Sequence, residues 1–551
     1  MRRCFPILSL LFLLACSGPP EISPTPNKLP AEPYDEDKAL REVAGNENER
    51  MRFRLIESRV LDRQPMWNDL RQQLGDFSET DYQRLYPLVF EKDIATLQKT
   101  IEVNKLSYEE LTKWYLYRIL KYESDPAKSL HTLISINPRA VQLARERDSA
   151  PRTNHHPIYG MPILLKDNIN AAGMPTTAGA ELLRSHRVEN APIVQRLSER
   201  GGIVLGKVNL SEWAYYFCGG CPLGYSAVGG QTLNPYGPRI FETGGSSAGS
   251  GTSMAADYAA AAVGTETAGS ILSPSAQNSV VGLKPTIGLL SRTGIVPISS
   301  TLDTPGPMTR SVRDNAILLD AMKGYDAADP KSTERNVELE YHQLRPADPA
   351  QYRLGVLKAF LEDEQYAAAV ETLRRAGATL IEIEPDNPDY TGFTTLLDAE
   401  MKRDLPKYLE QYAPTLTQRS VADILAYNKQ DTVRRAPYNQ SIFEGIAANQ
   451  TTDRELADLQ NRLKTGAVAY FDQPMTEHRL DAVLSINNYS AAAAALAEYP
   501  ALAVPNGYRE SGEPVALTFI GRPFSEQKLL ELGLLFEEMM RSRVAPEGYR
   551  E

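Results

Sequence analysis

The sequence predicts an α/β fold. Short apolar runs of strand length alternate with helical patterns, and 551 residues with 42% apolar and 23% charged content can bury a large core. The length suits one large domain with additions, or two to four smaller ones. No internal repeat interrupts the pattern.

The N-terminus reads as a targeting device. Arg2 and Arg3 precede an apolar run over residues 5–14, and Leu13-Leu14-Ala15-Cys16 sets a small residue before a cysteine. Residues 1–15 are similar to a bacterial lipoprotein signal cleaved before Cys16, the run being far short of the ~20 residues that span a bilayer. An uncleaved interfacial anchor is the alternative. Lipidated Cys16 would hold the protein to a membrane of the bacterial cell envelope, and Ser17, which is no aspartate-type inner-membrane retention cue, favours the outer membrane. Residues 16–50, rich in Pro, Glu and Asn, are expected to form a flexible tether. The formal net charge of −11 argues against nucleic acid as a partner.

Residues 51–105 carry Leu55, Val60, Leu61, Trp67, Leu70 and Leu74 among polar residues and read as an N-terminal helical extension. The main domain, 106–551, opens at Ser107-Tyr108-Glu109-Glu110, a capping box ahead of Leu111, Trp114, Tyr115 and Arg118 at helical spacing. Residues 158–165 read as a buried strand that delivers Lys166 at its end. Residues 192–200 read as a helix opened by proline and stopped by Gly201-Gly202, ahead of a strand at 203–205. Residues 249–263 read as an alanine-rich helix lying close to a sheet, and helical patterns with charged faces dominate 346–479. Strand-like runs at 482–486, 501–505 and 515–520 precede a closing helix at 525–540.

Two familiar motifs are approached and missed. Gly201-x4-Gly206-Lys207 resembles a phosphate-binding loop, but Val208 stands where a metal-binding Ser or Thr is required and Ile203-Val204-Leu205 fills the loop. Gly245-Ser246-Ser247-Ala248-Gly249 matches the GxSxG elbow that would make Ser247 a nucleophile, yet Asn234-Pro235-Tyr236-Gly237-Pro238 precedes it in place of a strong strand. Cys218 and Cys221 cannot complete a four-ligand zinc site by themselves, which leaves a local disulfide, two packed thiols or a redox pair. His131, His155, His156, His186, His342 and His478 lie in polar, charged or loop surroundings and read as surface or packed residues.

The positive chemistry lies in one lysine and two serines. GGSSAGSG from Gly244 holds Ser246, and GTETAGS from Gly264 holds Ser270. Glycine and alanine beside a hydroxyl let peptide N–H groups converge on one point, as an acyl-transfer oxyanion requires. A serine hydroxyl needs a base, and a neutral lysine serves once burial lowers its pKa from ~10.4 to near 7 or 8, an environmental bias of about 3 to 5 kcal/mol. Lys166, leaving an apolar strand, is placed for that role.

These residues resemble the amidase signature family. The likeness runs through Gly160-Met-Pro-Ile-Leu-Leu-Lys166-Asp-Asn168, Gly206-Lys-Val-Asn209, Gly229-Gly-Gln-Thr-Leu-Asn-Pro235, the two serine motifs, Val281-Gly-Leu-Lys-Pro-Thr286 and Asp303-Thr-Pro-Gly-Pro307. It implies a mixed β-sheet sandwiched between α-helices and a Ser-cisSer-Lys triad. On that pattern Ser270 is the nucleophile, Ser246 follows the cis peptide bond and relays protons, and Lys166 is the base. The backbone N–H groups of Thr267, Ala268, Gly269 and Ser270 would form the oxyanion hole. Tyr216, Gly244 and Gly245 would touch substrate, within an aromatic region of Trp213, Tyr215, Phe217 and Tyr225. No metal or organic cofactor is implied.

The departures from the family pattern narrow the substrate. Where many members have GTDTGGSIR, this chain has Glu266, Ala268 and Leu272 in place of Asp, Gly and Arg, so no guanidinium stands at that position to bind a substrate carboxylate. Glu266 together with Tyr438-Asn-Gln-Ser-Ile-Phe-Glu444 is similar to the peptide-amidase branch, which deamidates C-terminal peptide amides. The expectation is an exported, lipid-anchored amidase that converts a small-molecule or peptide amide to carboxylate and ammonia or amine through an acyl-enzyme. One alternative is an amidotransferase-like subunit, whose charged tRNA is cytoplasmic and fits poorly with export. The other is a catalytically silent envelope peptide-binding protein, which needs no buried lysine beside two serines.

Overall fold

Eleven strands share one mixed sheet in the computed structural model, which describes residues 35–151, 155–335, 338–345 and 348–551. The signal 1–15, Cys16 and residues 17–34 of the expected tether lie outside the described residues. In chain order the strands are β1 (Leu133–Ile136), β2 (Pro162–Lys166), β3 (Ile203–Val208), β4 (Tyr225–Ser226), β5 (Gly230–Gln231), β6 (Ala261–Glu266), β7 (Val281–Lys284), β8 (Thr304–Thr309), β9 (Arg353–Leu357), β10 (Thr379–Ile383), β11 (Ala482–Ile486), β12 (Ala501–Tyr508) and β13 (Pro514–Ile520). β4 and β5 pair only with each other, while the large sheet runs β1-β3-β2-β6-β8-β7-β12-β13-β11-β9-β10. β2 is parallel to β3 and β6, and β9 is parallel to β10 and β11. The remaining pairs in the large sheet are antiparallel.

Alternate residues of the central strands feed two separate cores, as a period of two demands. Leu502 and Val504 of β12 pack with Leu529 and Phe536 of the helix Glu526–Met540. Ala501 and Ala503 pack with Leu272 and Ala276 of the helix Leu272–Gln277. Helices therefore cover both faces, as the resemblance implies.

The capping box at Ser107 opens the helix Tyr108–Glu123, with Ser107 Oγ accepting the N–H of Glu110 and Glu110 returning to the N–H of Ser107. The extension contributes the helices Gln64–Leu74, Glu79–Val89 and Ile94–Glu102. Their buried Trp67, Leu70, Tyr82 and Leu97 join the same core as Trp114 and Leu165.

Four expectations need correction. Within the expected tether, Glu36–Val43 is helical and Glu36–Glu551 forms one compact unit, so the fold begins before residue 50. The start of the expected helical extension is largely non-helical up to Arg63, since Pro65 opens the first long helix. There Ile56 instead offers its carbonyl to Gln231 N–H at 2.8 Å, lying against the β4–β5 ribbon. The alanine-rich stretch divides into the helix Ala248–Ala255 and strand β6, broken at Asp257, whose φ of 57° is left-handed. The helical region 346–479 also contains β9 and the partly exposed β10 at the sheet edge.

Candidate active site

The end of β2 delivers Lys166 into a fully buried position. Its Nζ donates to Ser246 Oγ at 2.7 Å and to the Thr265 carbonyl at 3.0 Å. Burial pulls the ammonium down to about 7, against the pull of the Asp303 and Glu266 carboxylates. The Gly245–Ser246 peptide bond is cis, and the Ser246 carbonyl accepts the N–H of Ser211 at 3.1 Å. Gly244 takes φ +63°, and a Cβ there would lie 2.6 Å from Pro274 N, so no other residue fits this turn.

The second serine motif leaves β6 and returns beside the first. Ser247 N–H donates to the Ser270 carbonyl at 3.1 Å, which fastens the two loops together. Glu266 Oε2 accepts the N–H groups of Ile271 at 2.7 Å and Leu272 at 3.0 Å, closing the loop Thr267-Ala268-Gly269-Ser270 across its base. Gly269 has φ +95°, while Ala268 and Ser270 are only half-buried. Among the hydrogen bonds of the described residues, none takes the backbone N–H of Ala268, Gly269 or Ser270, so these donors are available to a ligand.

Ser247 is placed differently. It is fully buried, with its Oγ donating to the Thr265 carbonyl at 3.0 Å and accepting the Thr265 N–H at 3.2 Å. No strand precedes it, so the elbow geometry is absent from this turn. Lys207 of the near-miss phosphate loop is buried within β3 and ion-paired to Asp167 at 3.0 Å.

The comparisons with known proteins show the family. The amidase family model matches residues 110–530. The chain belongs to the amidase family. It is 36% identical over 482 residues to the "probable amidase" of Arabidopsis thaliana, covering 83% of this chain and 91% of that one. An amidase family protein from Bacillus anthracis superposes with a TM-score of 0.85 at 37% identity, covering 90% of this chain and 99% of that one. The native peptide amidase of Stenotrophomonas maltophilia gives 0.78 at 37% identity, covering 83% and 99%. The protein is thus an amidase, a hydrolase of amide C–N bonds.

In this amidase the aromatic region splits. Trp213, Phe217 and Tyr225 are buried, Trp213 and Phe217 against Phe443 and Tyr225 against Tyr438, whereas Tyr215 and Tyr216 stay partly accessible. Tyr216 OH donates to Asp398 Oδ1 at 2.7 Å and to the Thr394 carbonyl at 3.1 Å, both on the helix Phe393–Tyr412. Gly245 is close-packed, a Cβ there lying 2.7 Å from Ser211 Oγ. Leu272 is fully buried in the second core. Cys218 and Cys221 are joined as a disulfide with their Cα atoms 5.7 Å apart.

A cleft of about 220 Å³ opens beside the catalytic loops, touching Asn168, Thr265, Thr267 and Asp303 and walled by the loop 292–300 and by Tyr408 and Tyr412. Neither Asp303 nor Tyr408 was singled out for a role from the sequence. The only available signal for Asp303 was its place in a family-like block.

Among the described residues, one cluster has metal-ligand types within reach of one another: His156, Asp320 and His342, with ligand atoms within 4.8 Å. Its hydrogen bonds fit an ion-pair network instead. Asp320 Oδ2 meets His156 Nε2 at 3.0 Å and His342 Nδ1 at 2.6 Å, and Lys323 pairs with Oδ1. His156 Nδ1 accepts the N–H of Ile158 at 3.1 Å, so the neutral ring carries its proton on Nε2, where a metal would need a lone pair.

Proposed function

We propose that this amidase hydrolyses the C-terminal carboxamide of peptides through an acyl-enzyme on Ser270. The 2.7 Å contact between Lys166 Nζ and Ser246 Oγ carries the reading, because it couples a lysine that is half neutral near pH 7 to a serine relay. Ser270 Oγ attacks the carbonyl carbon while its proton passes to Ser246 and the Ser246 proton to Lys166. The N–H groups of Thr267, Ala268, Gly269 and Ser270 receive the oxyanion. Lys166 then returns the proton through Ser246 to the leaving nitrogen, and ammonia departs. Water attacks the ester by the same relay, giving the carboxylate and free Ser270.

The peptide-amide preference is supported by the apolar Leu272 in place of an arginine and by the likeness to a peptide amidase. Ammonia release from a panel should favour peptide amides over small aliphatic amides, with free-acid peptides left intact. Equal or greater kcat/KM on small aliphatic amides would sink the peptide reading while sparing the chemistry.

We also propose lipid anchoring at Cys16 in the bacterial envelope, with the outer membrane as its address. No helix of the described residues is long and apolar enough to cross a membrane, so a tether would rest on the lipid. In a bacterial host, Cys16→Ser should move the protein from the membrane to the soluble fraction. Unchanged membrane recovery would rule this anchor out.

A further inference from the structure

Asp303 immediately precedes β8, and no proton-transfer step above uses it. Its carboxylate has three hydrogen-bond partners. Oδ1 accepts the Thr267 hydroxyl at 2.6 Å, and Oδ2 accepts the N–H groups of Ile298 at 2.8 Å and Ser299 at 2.9 Å. One oxygen thus holds the oxyanion loop and the other holds the wall of the cleft. The antiparallel register of β6 and β8 sets Glu266 opposite Thr304, so Thr267 and Asp303 leave the ladder side by side.

The charges around this carboxylate are otherwise matched. Arg292 pairs with Asp329, and Arg403 and Lys407 pair with Asp404. Glu400 accepts the hydroxyls of Ser299 and Thr301. Among the described residues Asp303 makes no ion pair within 4.0 Å. Two cations act on it: Arg292, already paired with Asp329, and the buried Lys166, whose Nζ bonds the carbonyl of Thr265, a residue that lines the same cleft as Thr267 and Asp303; Lys166 feels Asp303 and, less strongly, Glu266.

We propose that Asp303 is a positioning residue of the amidase site: through the Thr267 hydroxyl it fixes the peptide plane that opens the oxyanion loop, and its charge sets the proton affinity of Lys166. Both jobs rest on the serine–lysine reading above. The Ile298 and Ser299 N–H groups fix the carboxylate through Oδ2, and Oδ1 in turn fixes the Thr267 hydroxyl, so the loop N–H groups are oriented before substrate arrives. A negative charge beside a buried ammonium opposes the desolvation that lowers its proton affinity. Asp303 itself is pushed up to about 6 by burial, so its charge weakens as pH falls below that value.

The two jobs separate by mutation. Thr267→Val removes the hydroxyl link and keeps the charge: kcat should fall about 10- to 100-fold, with KM and the acid limb of the pH profile in place. Asp303→Asn removes the charge and keeps the shape: the acid limb of kcat/KM should move about one pH unit lower, because Lys166 then loses its proton more readily. A purely structural role would not move that limb. Wild-type kcat in Thr267→Val overturns the positioning half, and an unmoved acid limb in Asp303→Asn overturns the electrostatic half. If Asp303→Asn does not fold, Glu266→Gln tests the order of the two charges: a shift of a full unit or more there overturns Asp303 as the stronger. Should Ser270→Ala retain activity, the serine–lysine reading fails; if Ser270→Ala is dead while both variants behave as wild type, only this inference fails.

Discussion

Ser270→Ala should lower kcat by about 10⁴- to 10⁶-fold while leaving the thermal midpoint near that of the parent. The magnitude follows from removing the one oxygen proposed to form the acyl-enzyme, and the folding result from the half-buried setting of the side chain. Ser247→Ala tests the same point from the other side. That hydroxyl bonds the Thr265 N–H and carbonyl, so its loss costs stability, while labelling of Ser270 by a fluorophosphonate persists. Labelling at Ser247 in the parent protein would instead restore the hydrolase-elbow reading.

Lys166→Met removes the base and keeps much of the volume, and it should lower kcat by about 10²- to 10⁴-fold. The parent enzyme should show the corresponding pH dependence. With the lysine pulled down to about 7 by burial, its neutral form dominates above that pH and falls tenfold per unit below it, so kcat/KM should rise through pH 7 to a plateau. The sign for stability runs the same way: a lysine with a lowered folded pKa destabilises the fold most at low pH, and Lys166→Met should be relatively more stable at pH 6 than at pH 9. A flat kcat/KM between pH 5.5 and 8 would remove Lys166 from the base role.

Much of this was legible in the chain because local rules and global structure agree there. The capping box at Ser107 gives a helix start, and the apolar run ahead of Lys166 gives a buried strand over Pro162–Lys166, its first half at 158–161 turning instead of extending. β11 stands out for the same reason, since all five of its residues are buried. β10 did not stand out, because an edge strand with exposed Thr379 and Glu382 lacks the apolar continuity that marks a buried one. Residues 249–263 suggest a single helix because alanine packs equally well in a helix and in a strand sandwiched on both faces. Asp303 was hidden for a different reason: its partner Thr267 lies on another strand end, and only the β6–β8 register brings them together. The disulfide between Cys218 and Cys221 was one of three outcomes their spacing allowed.

The Thr265 carbonyl accepts both Lys166 Nζ and Ser247 Oγ, each at 3.0 Å. Lys166 and the helix Ala248–Ala255 therefore take their positions from a single peptide unit in the interior of the sheet. The outer wall is tied to the same region, since Glu400 on the helix Phe393–Tyr412 accepts the Ser299 hydroxyl and the Ser299 N–H bonds Asp303. The wall of the cleft and the loop of Ser270 are therefore mechanically linked through Asp303. A substitution at Glu400 that reshapes the cleft would be felt at the Thr267–Ser270 loop as well.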